Sequence, residues 1–206
     1  MHHRTAEAPE TTGRVLRRAR LYDLLSRKMS FGRDRLIHLA APAPGENVLD
    51  VGCGTGTLAI ALKQKVAPGE VHGIDASPQM IEVAEEKSAK AGLDIDFRVA
   101  LIEAIPFADH VFDLVTSSLM LHHLPDDLKR TGLAEIRRVL KPGGRFVAMD
   151  LAIESHSPLG HLLSILGLAR GESVLDKLAP MMRDAGFNPV ETIATRSKKL
   201  AFIRGR

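Results

Sequence analysis

The sequence predicts an α/β fold, a three-layer sandwich around a mostly parallel sheet whose last strand runs antiparallel. Three observations carry that expectation. Short β-rich runs, NVLDV, VHGID, IDFRVA, FDLVTSS and RFVAMD, alternate with helical patterns. Strand then helix, repeated, requires parallel strands joined by crossover helices that cover both faces of the sheet. A glycine-rich turn joins the first strand to the helix after it, in VLDVGCGTG. At the other end of the chain, the β-like runs NPVETIA and LAFIRG are separated only by TRSKK. That spacing admits a hairpin but no crossover helix, so the final strand reverses direction.

In chain order, residues 1–13 are polar with no apolar period and are expected to form a disordered tail. Residues 14–206 form a single domain, and 45% of the 206 residues are hydrophobic, enough for one sizeable core. Residues 14–41 are its helical opening, where Leu16, Ala19, Tyr22 and Leu25 recur at helical spacing with an interruption at Ser30 to Gly32. APAPGE ends that segment. The strand and helix alternation fills residues 46–151, with helices after Thr57, after Ser77 and from Asp126 to Leu140. Ser77 is the expected N-cap of the second, with Pro78 at its first position. Residues 152–171 contain a nearly all-apolar stretch from Pro158 to Ala169, which reads either as a lid over a greasy ligand or as an ordinary buried helix. Residues 172–206 supply the last helix and the hairpin.

Composition removes several function classes. Lys and Arg total 28 against 25 Asp and Glu, and a net charge of +3 is too small to imply a nucleic-acid partner. A single cysteine, Cys53, rules out a disulfide framework or a cysteine zinc site, and no carboxylate stands at ligand spacing from the His122–His123 pair, so no metal site is expected. Without an N-terminal apolar stretch or an apolar run of about 18 residues, a cytoplasmic location is the default expectation. Arginines cluster between Arg14 and Arg35, giving a solvated helix face or a cationic surface for an anionic ligand or peripheral membrane contact.

The chemistry centres on the glycine turn. Asp50 closes a strand and is followed by Gly52, Gly54 and Gly56, more bare backbone than a tight turn needs. Ligands of open α/β sheets sit at such carboxyl ends of strands, where glycines let the backbone come close. The dinucleotide fingerprint Gly-x-Gly-x-x-Gly is not met, because Gly56 comes one place early and Thr57 stands where glycine is wanted. A P-loop is absent as well. The second strand ends at Asp75, nineteen residues past Gly56, near the spacing at which an acidic side chain accepts ribose hydroxyls. The ligand expected is therefore a nucleoside.

VLDVGCGTG, GIDAS, IPFADHVFDLV and RVLKPGGRF, in this order, resemble the class I S-adenosylmethionine-dependent methyltransferases. The resemblance implies a Rossmann-like sheet of seven strands with the last antiparallel, agreeing with the hairpin expected independently. It also implies a cofactor site. The VGCGTG loop, with Gly52, Cys53, Gly54 and Gly56, would pass along the methionine and ribose parts, and Asp50 would hold the amino end directly or through water. Asp75 would bind the ribose hydroxyls, Ala76 and Met80 would flank the adenine, and the turn of Leu101, Ile102 and Glu103 would face its edge. Ser118 would lie near the methionyl part. Family members often carry Asp where this chain has Leu101, so here the adenine amine would rely on backbone carbonyl or water.

Methyl transfer from a sulfonium is an in-line displacement that needs positioning in a dry site more than a fixed catalytic set. The expected acceptor is a small, lipophilic molecule. Exocyclic-amine methylators carry Asn-Pro-Pro-aromatic where this chain has SLML at Ser118 to Leu121, and cysteine-dependent arsenic methylation is excluded by the single Cys. YDLLSRKMSFGRDR, from Tyr22 to Arg35, is similar to the opening of the ubiquinone/menaquinone C-methyltransferase branch, making quinone-ring C-methylation the leading specific expectation. That branch usually has Asn at Ser26, His at Asp34, Trp at Ile37, Glu at Asp150, and an Arg-Asn pair at His122 and His123. Tyr22, with Met29 and Phe31, either closes the cofactor pocket or packs in the core. Four histidines, His122, His123, His156 and His161, suit proton transfer near pH 7, and His123, just past the fourth strand, is the candidate base. A nucleotide-dependent oxidoreductase and a non-catalytic nucleoside-binding protein are the alternatives.

Overall fold

The computed structural model describes residues 30–152, 174–193 and 200–206. The N-terminal tail, Tyr22, Met29 and nearly all of the candidate lid, with His156 and His161, lie outside the described residues. The elements run α1 (Ser30–Ala40), β1 (Val48–Val51), α2 (Thr57–Val66), β2 (Val71–Asp75), α3 (Pro78–Lys90), β3 (Asp96–Val99), β4 (Phe112–Ser118), α4 (Asp126–Val139), β5 (Leu140–Leu151), α5 (Val174–Asp184), β6 (Val190–Ile193) and β7 (Leu200–Gly205). Single 3-10 turns at Ile102–Ala104 and Leu121–His123 follow β3 and β4.

Seven strands form one sheet in the order β3-β2-β1-β4-β5-β7-β6. β1 pairs in parallel with β2 and β4, β2 with β3, and β4 with β5. β7 runs antiparallel between β5 and β6. The expected mostly parallel sheet with an antiparallel last strand is therefore the fold, and the terminal hairpin is the β6–β7 pair.

The core lies on both faces, and the period of two along each strand divides it. Leu49, Val115 and Ala148 face α4 and α5, whereas Val48, Leu114 and Val147 face α1, α2 and α3. Covered on both sides, β1 is buried at all four positions. Ser77 caps α3 as expected, its hydroxyl accepting the Met80 N–H at 3.3 Å.

Two local features differ from the sequence expectation. The segment Ser30 to Gly32, read as an interruption, forms the first turn of α1. Gly32 is there for contact, since a Cβ on it would lie 2.7 Å from both Leu200 and Met149. β5 begins at Leu140, five residues before the apolar run that predicts it. Leu140 pairs with Phe112, the ladder then breaks, and pairing resumes between Leu114 and Arg145. KPGG is thus an irregular segment inside the strand, with Gly143 at φ +79°.

Strand order switches between the paired strands β1 and β4, so the chain leaves β1 towards β2 and leaves β4 towards β5, in opposite directions along the sheet. A crevice opens at the carboxyl ends of these two strands, the usual ligand position in such sheets.

Candidate functional site

The loop after β1 lies at that crevice. Gly52 and Cys53 donate their N–H groups to the Ile74 carbonyl at 2.8 and 2.9 Å, tying the loop to β2. Gly52, Gly54 and Gly56 have φ of +69°, +53° and +73°, values that side chains resist. Two of them are also crowded. A Cβ on Gly56 would lie 2.8 Å from Phe97 and 2.9 Å from Ala84, and one on Gly52 would collide with Met120. Gly56 therefore serves chain packing at the start of α2, while Gly54 lines the pocket itself.

Two aspartates flank this loop. Asp75, at the end of β2, accepts the Gly54 N–H on Oδ2 and the Ser77 N–H on Oδ1, both at 2.9 Å. Burial raises its pKa, and the two N–H groups partly offset that. Asp50, on β1, is 1% exposed, and its Oδ1 accepts the Thr116 hydroxyl at 2.8 Å. Its Oδ2 has no hydrogen-bond partner among the described residues. Burial pushes its pKa up from 3.8 to about 7, with Thr116 opposing and the charge of Asp75 adding to the rise. A buried carboxylate oxygen without a donor is costly unless a ligand supplies one. From the outer side, Lys87 reaches from α3 to the hydroxyls of Thr55 and Thr57 at 3.2 and 2.6 Å, fixing the far end of the loop.

The pocket is walled by Asp50, Gly52, Cys53, Gly54 and Ser118, all expected from the sequence. Cys53 is buried, its thiol pKa pushed well up by burial and then by Asp50 and Asp75. Asp75 stands behind the wall and acts on it through Gly54. The residues assigned to the adenine do not line this pocket. Ala76 is exposed, Met80 is buried, and Leu101 and Glu103 are half-buried. Ile102 points into the core, against Gly132. The Leu101 carbonyl already accepts the Ala104 N–H at 3.2 Å. Phe31 is 77% exposed and forms no part of the wall.

Sequence reasoning missed Arg33, Leu119 and Met149, which complete the wall with Thr55, Thr57 and Leu58. Met149 sits directly opposite Ser118 in the sheet register, a pairing invisible before the strands are aligned. Arg33 follows Gly32, the residue whose missing side chain lets α1 approach β5, and that neighbour was the only signal available.

Comparison with known proteins agrees with this geometry. Residues 48–144 match the family model described as "Methyltransferase domain". A demethylmenaquinone methyltransferase of Deinococcus radiodurans is 35% identical over 209 aligned residues, covering 88% of this chain and 83% of the relative. The chain belongs to the S-adenosylmethionine-dependent methyltransferases. A demethylmenaquinone methyltransferase of Thermus thermophilus is 40% identical over 63% of this chain, and the match spans only 60% of that relative's length. An S-adenosylmethionine-dependent methyltransferase structure from Aquifex aeolicus superposes with a TM-score of 0.70, covering 91% of this chain and 96% of that one, at 23% identity. It shares the fold.

The methyltransferase cofactor fits the residues present. The donor-less oxygen of Asp50 suits an ammonium group, and the positive-φ glycines leave the loop backbone bare beside it. Past β4, the two histidines of the 3-10 turn differ sharply. His123 is exposed. His122 is 8% exposed, its Nδ1 lies 2.5 Å from Asp150 Oδ1, and its backbone N–H donates to Oδ2 at 3.1 Å. Their rings lie 3.9 Å apart between centroids. The carboxylate that orients an imidazole thus serves His122 rather than the expected base, His123. Among the described residues no helix is long and apolar enough to cross a membrane.

Proposed function

We propose that the chain transfers the methyl group of S-adenosylmethionine to a small, lipophilic acceptor, with a quinone-type ring carbon as the specific case. The observation that carries the first part is the buried, donor-less oxygen of Asp50 beside the glycine loop. The relatives named for demethylmenaquinone methylation support the second. When bound, the cofactor supplies an electrophilic methyl group on sulfur.

The protein's part is placement. Asp50 would hold the amino end, the bare backbone of Gly52 and Gly54 would let the chain lie close, and Asp75 would accept the ribose hydroxyls on lone pairs left over from Gly54 and Ser77. Ser118, Leu119 and Met149 would form the wall beside the methionyl part. An in-line attack gains most of its rate from such positioning and from excluded water. An acceptor that must lose a proton would give it to the His122–His123 pair, in which Asp150 fixes the His122 ring.

Calorimetric titration with S-adenosylhomocysteine and with NADH tests the reading. Heat with S-adenosylhomocysteine alone is the expected result. Heat with NADH alone would point to an oxidoreductase instead. Turnover of a demethylquinone with tritiated cofactor then tests the acceptor class, and label in no quinone product would remove the specific case.

A further inference from the structure

α1 has two unlike faces. Gly32, Leu36 and Ala40 recur every four residues and are buried, with Gly32 against Met149 and Leu200. Arg145 of β5 holds the other end of the helix, donating to the Ala40 and Ala41 carbonyls at 2.6 and 2.9 Å and to both Glu46 oxygens at 2.8 Å. The register that seats Gly32 on the sheet turns Phe31, Asp34, Arg35 and His38 outward, and all four are exposed. Phe31 is 77% exposed; among the described residues the other large apolar side chain left in solvent is Val99, at 53%, on the edge strand β3. The same helix supplies Arg33 to the pocket wall, so Phe31 lies within one helical turn of a pocket residue. Before α1, the sequence from Arg14 to Lys28 carries six Lys and Arg and a single acidic residue, Asp23.

We propose that the exposed face of α1 is a docking surface for an anionic lipid bilayer, with the Phe31 ring entering the acyl boundary and Arg35 meeting the headgroup phosphates. Four residues apart on one helix, the two side chains share a face. An exposed phenyl ring is poorly placed in water and well placed at that boundary, and a guanidinium beside it gains from the negative surface potential of the bilayer. Asp34 opposes this attraction, but the cations of the preceding sequence outweigh it. Because Gly32 and Arg145 fix α1 to the sheet, docking through α1 sets the orientation of the pocket against the bilayer. A lipophilic acceptor dissolved in the membrane is then presented beside the pocket, a consequence that rests on the function proposed above.

The test is co-sedimentation of the full chain with vesicles of phosphatidylcholine alone and of phosphatidylcholine containing about one third phosphatidylglycerol. Wild type should partition onto the anionic vesicles and not the neutral ones. Phe31→Ser should weaken that partition about 10-fold, the effect of one aromatic side chain leaving the acyl boundary, and Arg35→Gln about 5-fold. Val99→Ser, which removes the other exposed apolar side chain, should leave it unchanged. Absence of wild-type partition overturns the inference, and so does a Phe31→Ser variant that binds as wild type or a Val99→Ser variant that loses as much. Sedimentation velocity without vesicles covers the remaining occupant: self-association that Phe31→Ser abolishes would assign the face to a second copy of the chain and overturn the inference as well. Partition is read without cofactor or acceptor, so its failure is distinguishable from a failure of S-adenosylhomocysteine to bind, which would overturn the methyltransferase reading instead.

Discussion

Asp50 and Asp75 lie near the carboxyl ends of neighbouring parallel strands and both border the same glycine loop, yet their surroundings give them different work. Asp75 has one backbone N–H on each oxygen, so its charge organises the loop whether or not a ligand is bound. Asp50 is more deeply buried, is held on one oxygen by a single hydroxyl, and keeps the other without a donor. The same residue type is thus a structural brace in one place and a waiting acceptor in the other. What differs is that the chain supplies a donor to both oxygens of one carboxylate and leaves one oxygen of the other without a partner.

The largest effect should come from Asp75→Ala. It leaves the Gly54 and Ser77 N–H groups without an acceptor and removes the ribose contact. Affinity for S-adenosylhomocysteine should fall more than about 100-fold, and the protein should lose about 2–3 kcal/mol in urea unfolding. A loss of affinity with unchanged stability would show that Asp75 does not brace the loop.

Asp50→Asn should separate binding from folding in the opposite way. Burial raises the folded-state pKa of Asp50 to about 7, above its unfolded value, so ionising this group costs stability. Wild type should therefore lose stability as pH rises from about 4 to about 7, while the Asn variant should not. The unliganded variant should be the more stable protein at pH 8, by up to about 4 kcal/mol. Its affinity for S-adenosylhomocysteine should nevertheless drop about 10- to 100-fold. In wild type that affinity should rise with pH through about 7, as the carboxylate ionises to meet the ammonium. A flat profile would remove Asp50 from the amino end.

Gly56→Ala probes the loop between the two. Positive φ and contact with Phe97 and Ala84 should make it cost about 2 kcal/mol of stability. Asp75 would keep its acceptor role, so the loss in ligand affinity should be smaller than the loss in Asp75→Ala. The smallest effect belongs to Thr116→Val. Removing the hydroxyl on Asp50 should cost about 1 kcal/mol and shift the pH midpoint of ligand binding upward, because the group that lowers the Asp50 pKa is gone. No shift would mean that Thr116 does not hold Asp50 in solution.

The parts legible from sequence share one property: they are local. Ser77 with Pro78 announces the start of α3 because a cap and its helix are adjacent. The hairpin of β6 and β7 follows from the short stretch between two β-like runs. Expectations failed where a residue depends on something distant. The bulged start of β5 is set by register against β4, and the anchoring of the His122 ring is set by Asp150, 28 positions away. A pair of adjacent histidines gives no hint of which one faces a carboxylate.

By itself the sequence determined the alternation of strands and helices, the glycine loop and the two aspartates at its borders, because these need only short-range pattern and backbone freedom. The tertiary structure alone decided which carboxylate oxygen lacks a donor, which arginine lines the same pocket and which histidine is oriented. Those outcomes depend on strand register and on how closely helices approach the sheet, and both are fixed only when distant segments pack.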